Sequence, residues 1–146
     1  MLLINSDFER LRFSAMSEYD LASLQKNGHT IAAHGWDHKP LSTLPIEMQR
    51  HEFMLCKEYS KRLCNSDLYS YPFGTKQEVS FSTVRLCKEY AFSAAYMNNS
   101  LVQTFVKEDA QYQLSRLNLP NVKNRYILDA KLSGFEFLIK KILKRT

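Results

Sequence analysis

The sequence has no long apolar run and no obvious targeting segment. In its 146 residues no stretch approaches the ~18 apolar residues that a membrane-spanning helix needs. Residues 1–5 are apolar, but no basic region precedes them and no small-residue cleavage site follows, so we do not expect a signal peptide. Location stays open, and the cytoplasm is expected only if Met1 is the native start.

Cysteines are few, and their spacing is not that of a metal site. The sequence has three, an odd number, and no CxxC pair. Cys56 and Cys87 lie at helix-like apolar positions. We therefore interpret all three, including Cys64, as small core residues in a reducing compartment and not as zinc ligands.

The composition is that of one soluble globular domain, with 45% hydrophobic and 24% charged residues. The net charge of +5 is compatible with nucleic acid, an anionic membrane or an acidic polymer as partner. Much of the excess lies near the C-terminus, which we interpret as a solvated helix face. Because no aromatic–basic stacking pattern occurs, we expect no nucleic-acid partner, and a basic nucleic-acid-binding module stays a minor alternative.

Apolar periodicity predicts strands alternating with helices. Strands are predicted at residues 1–5, 29–33, 68–71, 91–97 and 112–119. Strands that alternate with crossover helices form parallel sheets with right-handed connections. In such folds, functional residues collect at the C-terminal ends of the strands.

The helix boundaries are predicted from caps and breakers. A capping box at Ser17 and Asp20 begins the first helix, which Gly28 ends. A long helix follows at residues 45–63, and its buried candidates include Met48, Leu55 and Tyr59. A second capping box, Thr75 with Glu78, begins a helix that continues to Cys87, and the chain is helical again from Asn121 with a break near Gly134.

Two histidines four positions apart, His34 and His38, follow the predicted strand 29–33. Two imidazoles placed in this way can point at one ion, and zinc readily accepts neutral imidazole nitrogen. Judged by spacing alone, surface or turn histidines with other hydrogen-bond partners are more frequent, so both interpretations stay open.

The next predicted strand ends in Tyr71, Pro72, Phe73 and Gly74. Pro72 fixes the backbone and Gly74 permits a tight turn, which can direct a backbone N–H at a developing oxyanion or simply connect strand to helix. Arg116, at the last predicted strand, can orient a carboxylate or bind a substrate oxygen, or form a surface ion pair.

Together these segments resemble the polysaccharide deacetylases, carbohydrate esterase family four. Residues 28–42, GHTIAAHGWDHKPLS, resemble the second motif, glycine-histidine-x-isoleucine-x-x-histidine-x-x-x-histidine-proline-x-leucine. Residues 70–74 resemble the third motif in its tyrosine-proline-aromatic-glycine branch, and residues 114–119 resemble the late arginine-containing strand. The resemblance covers about residues 1–120, and the motifs occur in the family's order.

The resemblance implies a distorted (β/α)7 barrel of parallel strands that hydrolyses N-acetyl groups from amino sugars of a polysaccharide. It implies a divalent metal, usually zinc, held by His34, His38 and an aspartate. The backbone N–H of Phe73 would help to hold the oxyanion, and Arg116 would have an orienting role. Residues expected to bind the glycan are Tyr71, Pro72 and Trp36.

The sequence departs from the family pattern in three respects. No Asp-Asp pair occurs, although the family's first motif supplies a base and a metal ligand from such a pair. Gly35 stands where a serine or threonine is usual, and no histidine follows His51 to serve as general acid. We therefore expect residues 1–120 to be an incomplete deacetylase domain without its first strand and motif, inactive by itself.

The alternative to an enzyme is a non-catalytic remnant that keeps the fold and binds glycan or a partner chain. A missing first strand leaves a sheet edge open, from which we expect a homo-oligomer. Residues 121–146 are predicted to form a C-terminal helical segment that packs on the domain or on a partner. Its apolar positions recur at helical spacing: Phe135, Leu138, Ile139 and Leu143.

Overall fold

The computed structural model describes residues 14–98, 110–116, 124–135, 139 and 142–143. Its α-helices there are α1 (Glu18–Lys26), α2 (Ile46–Cys64), α3 (Phe81–Glu89) and α4 (Arg125–Leu132), and its strands are β1 (Leu68–Ser70), β2 (Ala94–Met97) and β3 (Leu114–Ser115). The strands form one parallel sheet in the order β1-β2-β3. This confirms an α/β chain with parallel strands, while the closed barrel stays a prediction. The predicted strand at residues 1–5 lies outside the described residues.

Helix α1 begins and ends where its caps predict. The Ser17 hydroxyl accepts the Asp20 N–H at 3.2 Å, and the Asp20 carboxylate accepts the Ser17 N–H at 2.8 Å. This is the reciprocal capping box. Beyond the helix, Gly28 has φ +85°, and the His29 N–H donates to the Leu24 carbonyl at 3.0 Å, which closes the C-terminus.

The predicted strand 29–33 contributes one bridge to the sheet, at Ala33 opposite Tyr69. The Ala33 N–H donates to the Leu68 carbonyl at 3.0 Å, and the Ser70 N–H donates to the Ala33 carbonyl at 2.8 Å. Within the part of the chain that the structure describes, the segment forms this single bridge and not a full strand, and the N–H of its first residue, His29, bonds to α1. The bridge is parallel, so the chain after Ala33 leaves the sheet at the same edge as the chain after β1.

Helix α2 has nearly the predicted length, but a different face of it is buried. Met48 was predicted to be buried and is 47% exposed, so that prediction is wrong, and Leu55 and Tyr59 are half-buried. The buried positions are Gln49, Glu52, Phe53, Cys56 and Cys64. Two of them are polar, and hydrogen bonds explain their burial: the Gln49 amide, for example, accepts the Thr83 hydroxyl at 2.8 Å.

Helix α3 begins later than its sequence predicts. The Thr75 N–H does donate to the Glu78 carboxylate at 3.0 Å, but only a single turn forms there. The N–H and the hydroxyl of Ser42 donate to the backbone carbonyls of Glu78 and Gln77 in this turn, at 3.1 and 2.7 Å, so both carbonyls have partners outside a helix. The helix starts instead at Ser80, whose hydroxyl accepts the Thr83 N–H at 3.2 Å.

The hydrophobic core packs around the sheet, α2 and α3. Its largest fully buried side chains include Tyr69, Tyr71, Phe53, Phe92 and Leu86. The three cysteines are buried free thiols, which confirms that they are core residues. Burial raises the pKa values of Cys56 and Cys87 to about 12, so both thiols are protonated near neutral pH.

The C-terminal part agrees with prediction in outline. Tyr112 lies in a short 3-10 helix that precedes β3, not in the strand itself. Helix α4 begins after Asn124, and Gly134, with φ +75°, follows its end. Beyond the break Phe135 is 55% exposed and Leu143 is 67% exposed. None of the described helices is long and apolar enough to cross a membrane.

Candidate functional site

The predicted site segments meet at the C-terminal edge of the sheet. The single bridge leads into His34, β1 leads into residues 71–74, β2 leads into Asn98, and β3 leads into Arg116. Because all pairings are parallel, the four segments leave the sheet at one edge. Residues 34–38 form the histidine loop, and residues 71–74 form the proline turn.

The two histidines of the histidine loop lie side by side. Their ring centroids are 4.9 Å apart, and the rings are inclined by 74°. His34 Nδ1 lies 2.7 Å from the Ser70 carbonyl oxygen, which can only accept, so Nδ1 carries a proton and the neutral ring has its lone pair on Nε2. The His38 ring also lies 5.2 Å from the ring of Phe73. The histidine spacing therefore does bring the two imidazoles together.

The histidine loop has an unusual backbone and touches the proline turn. Gly35 has φ +77° and His38 has φ +53°, a left-handed conformation that is uncommon outside glycine. A Cβ added at Gly35 would lie 2.5 Å from Cγ of Pro72. With this backbone, a side chain at Gly35 would collide with the proline ring.

Glu52 of α2 binds the backbone of the histidine loop. The Trp36 N–H donates to Glu52 Oε2 at 2.8 Å, and the Asp37 N–H lies 3.3 Å from both carboxylate oxygens. The Gly35 backbone forms a hydrogen bond with the thiol of Cys56, one turn further along α2. Sequence reasoning missed Glu52. Its signal was its position four residues before buried Cys56, where an apolar side chain is usual.

Trp36, predicted to bind substrate, projects from the histidine loop. Its side chain is 46% exposed, and its ring lies 4.7 Å from that of Tyr59. Beside it is an apolar cleft of about 180 Å³, whose walls include Leu21, Ile31 and Leu63. An aromatic face next to His34 is thus open to a ligand.

The proline turn is buried at its start and exposed at its tip. Tyr71 is fully buried, and its hydroxyl donates to the Tyr112 carbonyl at 3.0 Å. Pro72 is also fully buried, so both predicted glycan-binding residues support the turn from the core side. Phe73 is 48% exposed with φ +57°, and among the described residues no hydrogen bond uses its N–H.

Arg116 lies across the ends of β1 and β2. Its Nε donates to the Met97 carbonyl at 3.2 Å, and its Nη2 lies 3.4 Å from the Tyr71 carbonyl. Gly74 packs against the same groups: an added Cβ would lie 2.8 Å from the Asn98 nitrogen and 3.3 Å from Arg116 Nη2. Among the described residues, the partners of the guanidinium are two backbone carbonyls, through which the arginine links the ends of β1 and β2.

One known protein family matches the part of the chain that contains most of this arrangement. The family model for polysaccharide deacetylase matches residues 11–92, more than half of the chain. The chain belongs to the polysaccharide deacetylase family. The match includes the histidine loop, Glu52 and the proline turn, and it ends before Asn98 and Arg116. Comparisons with curated proteins and with solved structures gave no significant match.

Polysaccharide deacetylases are generally metal-dependent, and a metal site needs several donor side chains around one ion. Within the described residues no group of three or more His, Cys, Asp or Glu side chains is placed to hold an ion. The two adjacent imidazoles fit a divalent ion as two of its ligands, since the His34 tautomer leaves Nε2 available. Asp37 is the nearest carboxylate in sequence, and it pairs with Lys39 at 2.9 Å, which raises the pKa of that lysine.

Proposed function

We propose that this chain carries the site of a metal-dependent polysaccharide deacetylase, which hydrolyses N-acetyl groups on amino sugars. The observation that carries the proposal is the pair of adjacent imidazoles, His34 and His38, beside Phe73 at the C-terminal edge of a parallel sheet. Family membership supports the reaction class and the glycan substrate.

His34 and His38 are the proposed metal ligands, and zinc is the proposed ion because it accepts neutral imidazole nitrogen. A bound zinc ion supplies Lewis acidity, which polarises an acetyl carbonyl and acidifies water. The Ser70 carbonyl holds the His34 ring in the tautomer and orientation that such a ligand needs.

The Phe73 N–H is the proposed donor to the oxyanion that forms when the acetyl carbonyl is attacked. It belongs to an exposed residue with a left-handed backbone, and no described group competes for it. Such a preorganised donor stabilises negative charge as it develops. We propose that two groups hold this N–H in position. The first is the buried pair Tyr71 and Pro72 in the same turn, and the second is Arg116, which contacts the Tyr71 carbonyl.

Trp36 is the proposed contact for a sugar ring, because its partly exposed ring lines the apolar cleft that His34 also lines. We further propose that the sheet is part of a distorted (β/α)7 barrel formed by residues 1–120. Residues 121–146 are then a helical segment that packs on this domain or on a partner chain.

A second candidate function is glycan binding without catalysis. The sequence has no Asp-Asp pair, and within the described residues no third metal-binding side chain joins the two histidines. A deacetylase needs a base to deprotonate the attacking water and an acid for the departing amine. We therefore expect weak zinc binding and little or no turnover by this chain alone.

The test combines zinc binding with acetate release. Zinc is titrated calorimetrically into the chain and into His34→Ala, His38→Ala and the control His51→Ala, which changes an exposed histidine of α2. Acetate release from an N-acetylglucosamine oligomer is measured in parallel. Zinc binding that only the first two variants lose supports the metal site, and wild-type chain that binds no zinc contradicts it. Acetate release that His34→Ala abolishes supports the enzyme, and oligomer binding without release supports the second candidate.

A further inference from the structure

We infer that Glu52 is a positioning residue for the two proposed metal ligands. It binds the backbone between His34 and His38 and thereby fixes where the second imidazole stands relative to the first. The inference rests on the proposed function insofar as the histidines bind metal. The arrangement of the loop itself is independent of that function.

The contacts form a small binding site for peptide N–H groups on one face of α2. Consecutive backbone groups of Gly35, Trp36 and Asp37 meet the side chains of Glu52 and Cys56. The Trp36 and Asp37 N–H groups both donate to a carboxylate, with the shortest contact at 2.8 Å, and such charge-assisted bonds are stronger than those between neutral groups. These bonds hold the middle of the histidine loop to α2 through the loop's backbone, independently of the side chains of residues 35–37.

Burial indicates that this carboxylate serves the loop and not general stability. Glu52 is 5% exposed and lies next to fully buried Phe53 on the core-facing side of α2. Among the ion pairs of the described residues, none includes Glu52. A buried carboxylate loses hydration, and an apolar side chain would pack here without that loss. What the carboxylate adds is acceptance of the loop's N–H groups.

The two histidines depend on Glu52 to different degrees. His34 is fixed by the Ser70 carbonyl, outside the loop, at 2.7 Å. His38 directly follows the residues that Glu52 binds, and its φ of +53° is a conformation that persists only when the surroundings impose it. Loss of Glu52 should therefore leave His34 in place and release His38. A general loss of structure would not produce this asymmetry.

The experiment uses the full chain with Glu52→Gln, which keeps the shape of the side chain and removes its charge. The control is Glu58→Gln, an exposed glutamate of the same helix. Circular dichroism first establishes that both variants are folded. Zinc titration should then give an affinity about tenfold lower for Glu52→Gln, the effect of losing a hydrogen-bond partner outside the ligand shell. Glu58→Gln should leave the affinity unchanged.

A second readout needs no metal. By nuclear magnetic resonance, Glu52→Gln should speed amide exchange at Trp36 and Asp37 by about tenfold, the effect of one lost charge-assisted bond. It should also shift the His38 imidazole signals and leave the His34 Nδ1–H tautomer unchanged. If Glu52→Gln does not fold, the same measurements on Glu52→Asp, which keeps the charge on a shorter side chain, decide the matter.

The outcomes separate this inference from the proposed function. A folded variant with a lower melting temperature but unchanged zinc affinity, amide exchange and His38 signals overturns the positioning role. Equal perturbation of His34 and His38 also overturns it. Wild-type chain that binds no zinc, with the predicted loop changes in Glu52→Gln, contradicts the proposed metal site and supports Glu52 as the residue that positions His38.

Discussion

The histidine loop and the proline turn lie side by side but are held by different interactions. A buried carboxylate of α2 holds the histidine loop through its backbone N–H groups. Backbone hydrogen bonds, two buried residues and a closely packed Gly74 hold the proline turn. We therefore expect replacement of the Glu52 side chain to alter the geometry of the histidine loop locally, whereas the proline turn is built into the strand ends and should change only with them.

The largest effect is expected for Gly74→Ala. Its new Cβ would meet the Asn98 nitrogen at 2.8 Å and the Tyr71 oxygen at 3.0 Å, at a φ of +68°. We expect the free energy of unfolding, measured by urea denaturation, to fall by about 3 kcal/mol, from backbone strain and overpacking together. Gly28→Ala is the matched control: φ is +85°, but nothing lies within 4 Å, so strain alone should lower stability by about 1 kcal/mol. Equal losses would contradict the close packing of Gly74.

The contact between the histidine loop and the proline turn is tested by Gly35→Ala. The added Cβ would lie 2.5 Å from Pro72 Cγ, and we expect the unfolding free energy to fall by about 2 kcal/mol. Pro72→Ala removes the colliding atom, so in the double variant part of this loss should return, with a coupling of at least about 0.5 kcal/mol. Strictly additive losses of unfolding free energy would mean that the histidine loop and the proline turn do not touch in solution.

Alkaline pH should destabilise the domain through two buried thiols: Cys56, which bonds to the Gly35 backbone of the histidine loop, and Cys87, which bonds to the Tyr71 side chain of the proline turn. Burial, assisted by the negative charge of Glu52, raises the pKa of Cys56 to about 12, and burial also raises that of Cys87 to about 12. Unfolded thiols lose their protons first, so the stabilisation is complete below about pH 8.5 and is lost as pH rises towards 12.

Each thiol contributes a decline of at most about 1.4 kcal/mol per pH unit. Urea denaturation at several pH values should therefore show a flatter decline in Cys56→Ala and in Cys87→Ala. A slope that neither variant changes would rule out the thiols as its origin.

The smallest effect is expected for Tyr71→Phe, which removes one hydrogen bond made by the first residue of the proline turn. The lost bond joins the Tyr71 hydroxyl to the Tyr112 carbonyl at 3.0 Å. Thermal unfolding should show a loss of about 1 kcal/mol. Tyr126→Phe, at an 84% exposed position of α4, should leave stability unchanged. A Tyr71→Phe variant as stable as wild type would mean that this bond adds no net stability.

Local signals predicted the fold where local interactions determine it. The capping box at Ser17 and the break near Gly134 lie where expected, because each depends on residues close in sequence. The start of α3 and the buried face of α2 were not predictable in this way. At the start of α3, Ser42 binds carbonyls 35 and 36 residues further along the chain, and the buried face of α2 depends on how that helix packs in the core.

The same distinction applies to the site. His34, His38 and the proline turn carry residue types and spacings that suggest their chemistry. Glu52 belongs to no motif, and its only signal is its position four residues before Cys56, which is weak because a glutamate in a helix is usually solvent-exposed. Its importance follows from a contact across 15 or 16 residues of sequence. Tyr71 and Pro72 were expected at the surface of the site, and their burial depends on the strand before them.

The position of Trp36 gives this domain an optical reporter. It is the single tryptophan of the chain, and it lies within the histidine loop, partly exposed and against Tyr59. Fluorescence excited at the tryptophan band therefore comes from the one segment where metal and glycan are proposed to bind. Emission colour and quenching by iodide can follow events at the loop in unlabelled protein, at concentrations too low for calorimetry.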